Sequence, residues 1–325
     1  MTDAAAVRTP QTQCQGTAPL VPKRELKALM RRSNAPGLIR LVFWVALVLA
    51  TGALVWLAMG SFWVLPAMVL HGIVLVHHFS LLHECTHFTA FKQRWLNNLV
   101  ATLCGLVIVL PPRFFRYEHT DHHTYTHERG KDPELIELPK SLWGYLSYLS
   151  AVPYWKIQVV SMARKFAGWL TEEEKRFTPE IERPRVIRDV RLMVAFYAAV
   201  GAAMLAFGWA APLWYWVLPV LLGEPFMRAI RMTEHVGRPH VNDMTQNTRT
   251  NLVSAPMRFL CWNMNYHAEH HYAPSVPFHA LPKLHALIRD HVHVEAGGYL
   301  PAHKDILAQI LGRKPRVDLP AQAAG

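Results

Sequence analysis

The sequence predicts an all-α integral membrane protein, with four transmembrane helices in two hairpins and a cytosolic helical cap that carries clustered histidines. Three observations lead there. The 325 residues are 51% hydrophobic, and the apolar residues concentrate in long runs. Four such runs fall in two pairs, and a bilayer's hydrocarbon core needs about 20 apolar residues as helix. Lysine and arginine gather outside the runs, in the N-terminal, central and C-terminal segments.

The elements follow in order. Residues 1–20 are polar, rich in Pro, Gln and Thr, and lack the apolar core of a cleavable signal peptide, so a disordered tail is expected there. Val21 to Ser33 (VPKRELKALMRRS) reads as a short basic amphipathic helix on the membrane surface. The spans are expected at about residues 38–59, 61–82, 192–211 and 212–227. The second is apolar apart from His71, His77 and His78, and the fourth is interrupted by Pro219 and Gly223-Glu224-Pro225. Short uncharged connections close each hairpin: Gly60, and Trp209-Ala210-Ala211-Pro212. Arg8, Lys23, Arg24, Lys27, Arg31 and Arg32 precede the first span. The positive-inside rule then puts both termini and the central loop in the cytosol, and a bacterial inner membrane is the expected location.

Asn97 to Leu110 is apolar but only about half a crossing long, and Pro111-Pro112 ends it. A full span here would throw the histidines on either side to opposite membrane faces, so a re-entrant helix is expected. Ser141 to Leu170 mixes Trp and Tyr with Lys156, Arg164 and Lys165, which suits an interfacial helix pair. Residues 21–313 read as one membrane-embedded domain, and residues 314–325 as a C-terminal tail. The net charge of +11 flanks the spans, where anionic lipid rather than nucleic acid is the partner. Cys14, Cys85, Cys104 and Cys261 show no CxxC spacing, and reduced thiols are expected.

Three tight clusters hold eight of the histidines: His83-Glu84-Cys85-Thr86-His87, His119-Thr120-Asp121-His122-His123 and His267-Ala268-Glu269-His270-His271. Residues three and four apart share a helix face, so each cluster aims its imidazoles at one region. Neutral imidazole is the commonest metal ligand. Eight convergent ligands exceed what one four-coordinate ion needs, which predicts two metal ions. HECTH alone also matches HExxH, in which Glu84 would be the general base of a zinc protease. That reading leaves six further clustered histidines unused.

The order HxxxH, HxxHH, HxxHH, with the second hairpin between the last two boxes, resembles the membrane fatty acid desaturase and hydroxylase superfamily. The segment Asn265-Tyr266-His267-Ala268-Glu269-His270-His271, followed by Pro274, Val276-Pro277 and Leu281-Pro282, is similar to its acyl-lipid desaturase branch. The resemblance implies two iron ions held mainly by histidine, O2 as co-substrate, and an external electron donor of ferredoxin, rubredoxin or cytochrome b5 type. It implies a cis double bond placed in a fatty acyl chain, or a hydroxyl or keto group on a lipid, alkane or carotenoid. It also adds His235, in Thr233-Glu234-His235-Val236-Gly237, as a ninth ligand. A non-catalytic metal carrier is the remaining alternative.

Glu84, Asp121, Asp132 and Glu269 are candidates to hold ligand imidazole N–H groups, and Asn265 is a further candidate beside the site. The other ten histidines are expected to be structural or supporting. Cys85 points away from the ligand face, and Glu224 pairs with Arg228 one turn on. Spans two and four are the expected walls of an acyl channel, with Gly72 lining it. Arg113, Arg116, Arg129 and Lys131 are basic residues that would meet either an acidic donor or lipid phosphate.

Overall fold

The computed structural model describes residues 19–317, and its regular structure is nearly all helical. A surface helix, α1 (Lys23–Leu29), leads into α2 (Ala35–Ala58). The burial on α2 is that of a helix in lipid. Only Gly37, Trp44, Thr51 and Val55 are buried, a single stripe at helical spacing. Val42, Leu49 and Trp56 are each 68% exposed, a pattern that water would penalise and hydrocarbon favours. Gly60, in the left-handed region at φ 79, turns the chain into α3 (Val64–Val76). That helix continues through a step at His77 into α4 (His78–Thr86), so residues 64–86 form one 23-residue apolar column. His77 donates from Nδ1 to the Ile73 carbonyl at 2.6 Å, and His78 likewise to Leu75 at 2.7 Å. Each ring is thereby tied at Nδ1 to its own helix, and His78 Nε2 also accepts from the Trp44 indole of α2 at 3.4 Å.

The segment α5 (Arg94–Ile108) meets α6 (Pro112–Tyr125) at a bend of 97°. Val109 turns the corner in the left-handed region, and Gly105 lets the Leu110 carbonyl approach, since a Cβ there would lie 2.3 Å from its oxygen. The bend returns the chain toward the first box, and the rings of His83 and His119 lie 4.5 Å apart. Helices α7 (Leu142–Leu149), α8 (Val152–Phe166) and α9 (Glu172–Phe177) follow the second box. Then comes α10 (Arg183–Phe207). It begins nine residues before the expected span, because Arg183 to Arg191 form charged first turns outside the apolar stretch.

Among the described residues three helices are long and apolar enough to cross a membrane, or four if the bent α5–α6 pair counts as one span. The fourth expected stretch is not among them. It forms a π turn over Leu213–Val217 and then α11 (Leu218–His235), which carries Glu224, Arg228, Arg231 and Glu234. These charges pair inside the protein: Glu224 with Arg228 at 2.7 Å, and Arg231 with Glu234 at 3.0 Å. Helix α11 packs along α3 at a glycine contact. A Cβ on Gly72 would lie 2.0 Å from the Pro219 carbonyl oxygen, and one on Gly223 would lie 2.3 Å from the Gly72 carbonyl carbon. Gly72 therefore seals a helix–helix seam and does not line a channel, the close approach that small residues permit inside membranes.

The remaining helices are α12 (Ala255–Leu260), α13 (His267–Tyr272), α14 (Leu281–Ile288) and α15 (Tyr299–Ile310). One departure from an all-helical chain is a parallel pairing of Thr250–Asn251 with Val294–Glu295, which fastens the loop ahead of α13 to the C-terminal segment. The start of the expected C-terminal tail is docked. Lys314 pairs with Asp305 at 2.6 Å, and Arg316 donates to the carbonyls of Leu138 and Pro139 at 3.1 and 3.2 Å. Residues 318–325 of that tail, and all but Pro19 and Leu20 of the expected N-terminal one, lie outside the described residues.

Candidate metal centre

Four helices deliver the imidazoles. His83 is on α4 and His87 caps its C-terminus; His119, His122 and His123 lie on α6; His235 ends α11; and His267, His270 and His271 lie on α13. They assemble in two groups. His83, His87, His119, His123 and His270 form a set of five, and His122, His235, His267 and His271 a set of four. Within each group one nitrogen per ring lies within 4.8 Å of all the others. Imidazole nitrogens at about 2.0–2.1 Å from one ion stand up to about 4.2 Å apart across it, so each set needs at most a contraction of a few tenths of an ångström to close on a shared ion. The groups abut, with the His123 and His271 rings stacked at 4.2 Å. The two HxxHH helices exchange members. From α6, the i,i+4 pair His119 and His123 joins the five and His122 the four; from α13, His267 and His271 join the four and His270 the five.

The hydrogen bonds at Nδ1 fix the tautomers. His119 bonds the Glu134 carboxylate at 2.6 Å, His122 bonds Asp132 at 2.8 Å, and His235 bonds the Asn247 carbonyl at 3.1 Å. Carboxylate and carbonyl oxygens accept, so each Nδ1 is the N–H and each Nε2 is a bare lone pair. Thr126 gives its hydroxyl proton to the His122 carbonyl at 2.7 Å, so His271 donates to its oxygen at 3.3 Å and also leaves Nε2 bare. Three of these Nε2 atoms lie against the Nε2 of a further ring: His119 against His123 at 3.0 Å, and His235 and His271 against His267 at 2.9 and 3.1 Å; His123 and His270 meet in the same way at 3.1 Å. The Nε2 atoms of His83, His87 and His122 are buried with no partner at all. Bare or unpartnered nitrogens gathered at one point are stabilised by a cation; His83, His87 and His119 supply them in the five and His122, His235 and His271 in the four, so the residues fit a metal ion in each group.

Burial supports the same state. Eight of the nine residues are buried and His87 is partly exposed. Burial first, and neighbouring imidazoles second, hold His267, His270 and His271 well below the usual imidazole value, which keeps them neutral. Burial alone would raise Asp132 and Glu134. The His122 imidazole beside Asp132 nevertheless holds it below the ordinary carboxylate range, and His119, His122 and Arg231 hold Glu134 well below it. Both stay anionic and can brace the imidazole rings they touch.

The supporting residues divide. Asp132 is placed against His122, and its second oxygen takes the His127 backbone N–H at 2.9 Å. Glu84 lies 4.0 Å from His83 Nδ1, outside hydrogen-bond range, and its other oxygen takes the Thr89 hydroxyl at 2.8 Å and the Phe278 N–H at 3.2 Å. Asp121 faces away and pairs with Arg176 at 2.7 Å. Glu269 also faces away, toward His285 at 2.6 Å and the Thr250 hydroxyl. Asn265 spends its side chain elsewhere: its amide holds the Asn251 carbonyl at 2.9 Å and so anchors the loop before α13, and its oxygen faces the Cys261 thiol at 3.6 Å. Of the expected basic patch, Arg113 pairs with Asp189 at 2.6 Å and Glu182 at 3.0 Å, Arg129 with Glu137 at 3.1 Å, and Lys131 with Glu128 at 2.8 Å. Arg116 is held by the Thr86 carbonyl and Asn98.

The family model described as "Fatty acid desaturase" matches residues 68–301. The chain belongs to the fatty acid desaturase family. Its relatives include a protein named sn-1 oleoyl-lipid 12-desaturase from Picosynechococcus sp., 25% identical over 248 residues, which are 69% of each chain. A chloroplastic omega-6 fatty acid desaturase of Brassica napus is 22% identical, over 72% of this chain and 56% of its own length. A Nostoc sp. protein named sn-1 acyl-lipid omega-3 desaturase (ferredoxin) is 23% identical, over 55% of this chain and 51% of its own.

In this desaturase-family chain two acids near the histidines escaped sequence reasoning. Glu134 bridges His119 to Arg231, both at 2.6 Å. Glu234 pairs with Arg231 and lies 3.9 Å from His267 Nδ1. A signal was present for each: Glu134 stands two residues after Asp132 in a Pro-flanked loop following the second box, and Glu234 directly precedes His235.

Proposed function

We propose that this chain is a membrane di-iron oxidoreductase that uses O2 and external electrons to place a cis double bond in a fatty acyl chain of a lipid. The observation that carries the proposal is the pair of abutting imidazole groups, five and four, set at the ends of lipid-facing helices. Imidazole suits iron, zinc and copper alike, so the family and the doubled group support the choice of iron. Iron bound in these groups would supply O2 activation strong enough to break an unactivated C–H bond. The nine histidines His83, His87, His119, His122, His123, His235, His267, His270 and His271 would hold the two ions. The protein's own part is to orient those rings through Glu134, Asp132 and Asn247, to exclude water by burying them, and to position the acyl carbon that reacts.

Names of the relatives favour an alkene over an alcohol as product, since all three are desaturases. One of those names includes ferredoxin, which supports a ferredoxin-type donor here. The zinc-protease reading loses its base, because Glu84 is turned to Thr89 and Phe278. An apolar groove of about 600 Å³, bordered by Val48, Leu49, Trp56, Leu75, Val107 and Trp216, suits an acyl tail. In the membrane we read two hairpins, with both termini and the histidines cytosolic and α11 completing the fourth crossing against α3. Gas chromatography–mass spectrometry of lipids from cells expressing the chain, against a His270→Ala control, tests the proposal. A new double bond absent from the control is expected; a new hydroxyl, or an unchanged profile with the protein present, refutes it.

A further inference from the structure

A second set of imidazoles lies outside both groups. His240 is half-buried at the surface, and His127 lies beneath it, 3% exposed. Their rings stack at 4.5 Å between centroids, and the His127 ring lies 5.3 Å from that of His235. The three rings thus form a ladder from the surface to the four-imidazole group. Their tautomers are fixed reciprocally. His127 Nδ1 donates to the Pro239 carbonyl and His240 Nδ1 to the His127 carbonyl, both at 3.2 Å. Carbonyls only accept, so each ring presents a bare Nε2.

His127 Nε2 is buried and has no partner. A buried acceptor left unpaired costs about 1–3 kcal/mol, so ring stacking alone gives no reason for a nitrogen there. A second orphan lies alongside. Asn247 accepts from His235 at its carbonyl and donates its amide to the carbonyls of Thr126 and Val241, while its Oδ1 is buried without a partner. His127 also takes a left-handed backbone, φ 65, held by its N–H on Asp132, the carboxylate that braces His122. The chain therefore accepts a strained backbone to place an unpaired imidazole nitrogen beside the four-imidazole group. That group needs a route: its members are all buried, whereas the five-imidazole group has the partly exposed His87.

We propose that His240 and His127 are a transit site through which a divalent metal ion is passed from the surface to the group of His122, His235, His267 and His271. The proposal rests on reading that group as a metal site. Each handover exchanges one neutral imidazole lone pair for the next, with no change in the ion's charge.

The test is the rate of metal uptake, separate from turnover. Metal-free protein in detergent micelles is mixed anaerobically with Co2+, and its visible absorption is followed. His240→Phe and His127→Phe keep a flat ring and remove the lone pair. Both variants should reach the wild-type content at equilibrium with an unchanged thermal midpoint, while at least half of the uptake amplitude slows by about tenfold or more, an increase of about 1.4 kcal/mol in barrier. His240→Asp, which restores a surface ligand atom, should recover the rate. Wild-type uptake rates in both Phe variants overturn the transit site. So does a lost equilibrium equivalent in His127→Phe, which would make that residue a resident ligand. Failure of the wild-type protein to take up any ion would instead remove the metal reading itself.

Discussion

Replacing Gly72 by Ala probes how the seam between α3 and α11 sets the histidines' positions. The added Cβ would lie 2.0 Å from the Pro219 carbonyl oxygen and 3.0 Å from the Gly223 nitrogen. A carbon–oxygen contact settles at about 3.3 Å or more, so the helices must part by roughly 1.3 Å, since both obstacles are backbone. Overpacking of this kind costs about 1–3 kcal/mol. The greater effect falls on the site. His83 lies eleven residues beyond Gly72 and His235 twelve beyond Gly223, about 16–18 Å along each helix at 1.5 Å per residue. A parting at the seam therefore carries to both ends, where metal–ligand distances tolerate only about 0.2 Å. A misplacement of about 1 Å can lower turnover roughly 100-fold. Gly72→Ala should accordingly cut new double bonds by about that factor and lower metal content measured by mass spectrometry. Gly223→Ala should do the same, and the double substitution should cost less than the sum, because one parted seam admits both methyl groups. Gly201→Ala, with nothing within 4 Å of its added Cβ, is the neutral control. Wild-type metal content and turnover in Gly72→Ala would refute the reasoning.

Glu134→Gln removes the charge that braces His119 against Arg231; metal affinity should fall about 10–100-fold, read by competition with a chelator, and an unchanged affinity would contradict the role. Alanine at His123 or His270 should abolish product formation, and full turnover in either would exclude that residue as a ligand. Chelation of the loaded protein should lower its thermal midpoint, since an ion bound only to the folded state stabilises it; an unshifted midpoint after complete removal would exclude a structural contribution. Metal-free protein should lose stability as pH falls below about 6.5, the ordinary imidazole value. His267, His270 and His271 titrate well below that when folded, so the unfolded chain binds protons there first. Asp132 and Glu134 are also held low, and their contribution is lost only below the ordinary carboxylate range. Thermal midpoints measured from neutral to acid pH check this, and a flat profile would contradict it.

Much of the site could be read from residue spacing. The three boxes reveal themselves because i,i+3 and i,i+4 neighbours share a helix face, and His235 came from likeness to a family rather than from spacing. What escaped was set by tertiary structure. Glu134 acts through a loop folded back to α6, and its place beside Asp132 and Pro133 marks it only weakly against Glu137, which faces Arg129. Glu269 stands in sequence among the box histidines, yet its helix turns it outward to His285. The first two spans and the helix of the third are legible as apolar runs of bilayer length. The stretch after Pro212 is not, because its charges are satisfied by partners that hydropathy does not see. Gly72 shows the same limit: a small residue in an apolar run suggests free space, and only the facing Gly223 reveals contact.

The exchange of members between α6 and α13 gives the doubled histidine of the HxxHH pattern a meaning as a ruler. His122 and His123 are joined by one peptide bond yet serve different groups, as are His270 and His271. The offset between the groups is therefore written twice into covalent geometry, by the roughly 100° step between successive residues on a helix. Loop movements or a softer membrane cannot stretch it, and neither group can drift without dragging the other. A residue inserted between the paired histidines would throw both groups out of register together, whereas exchanging either histidine alone removes an imidazole from only one.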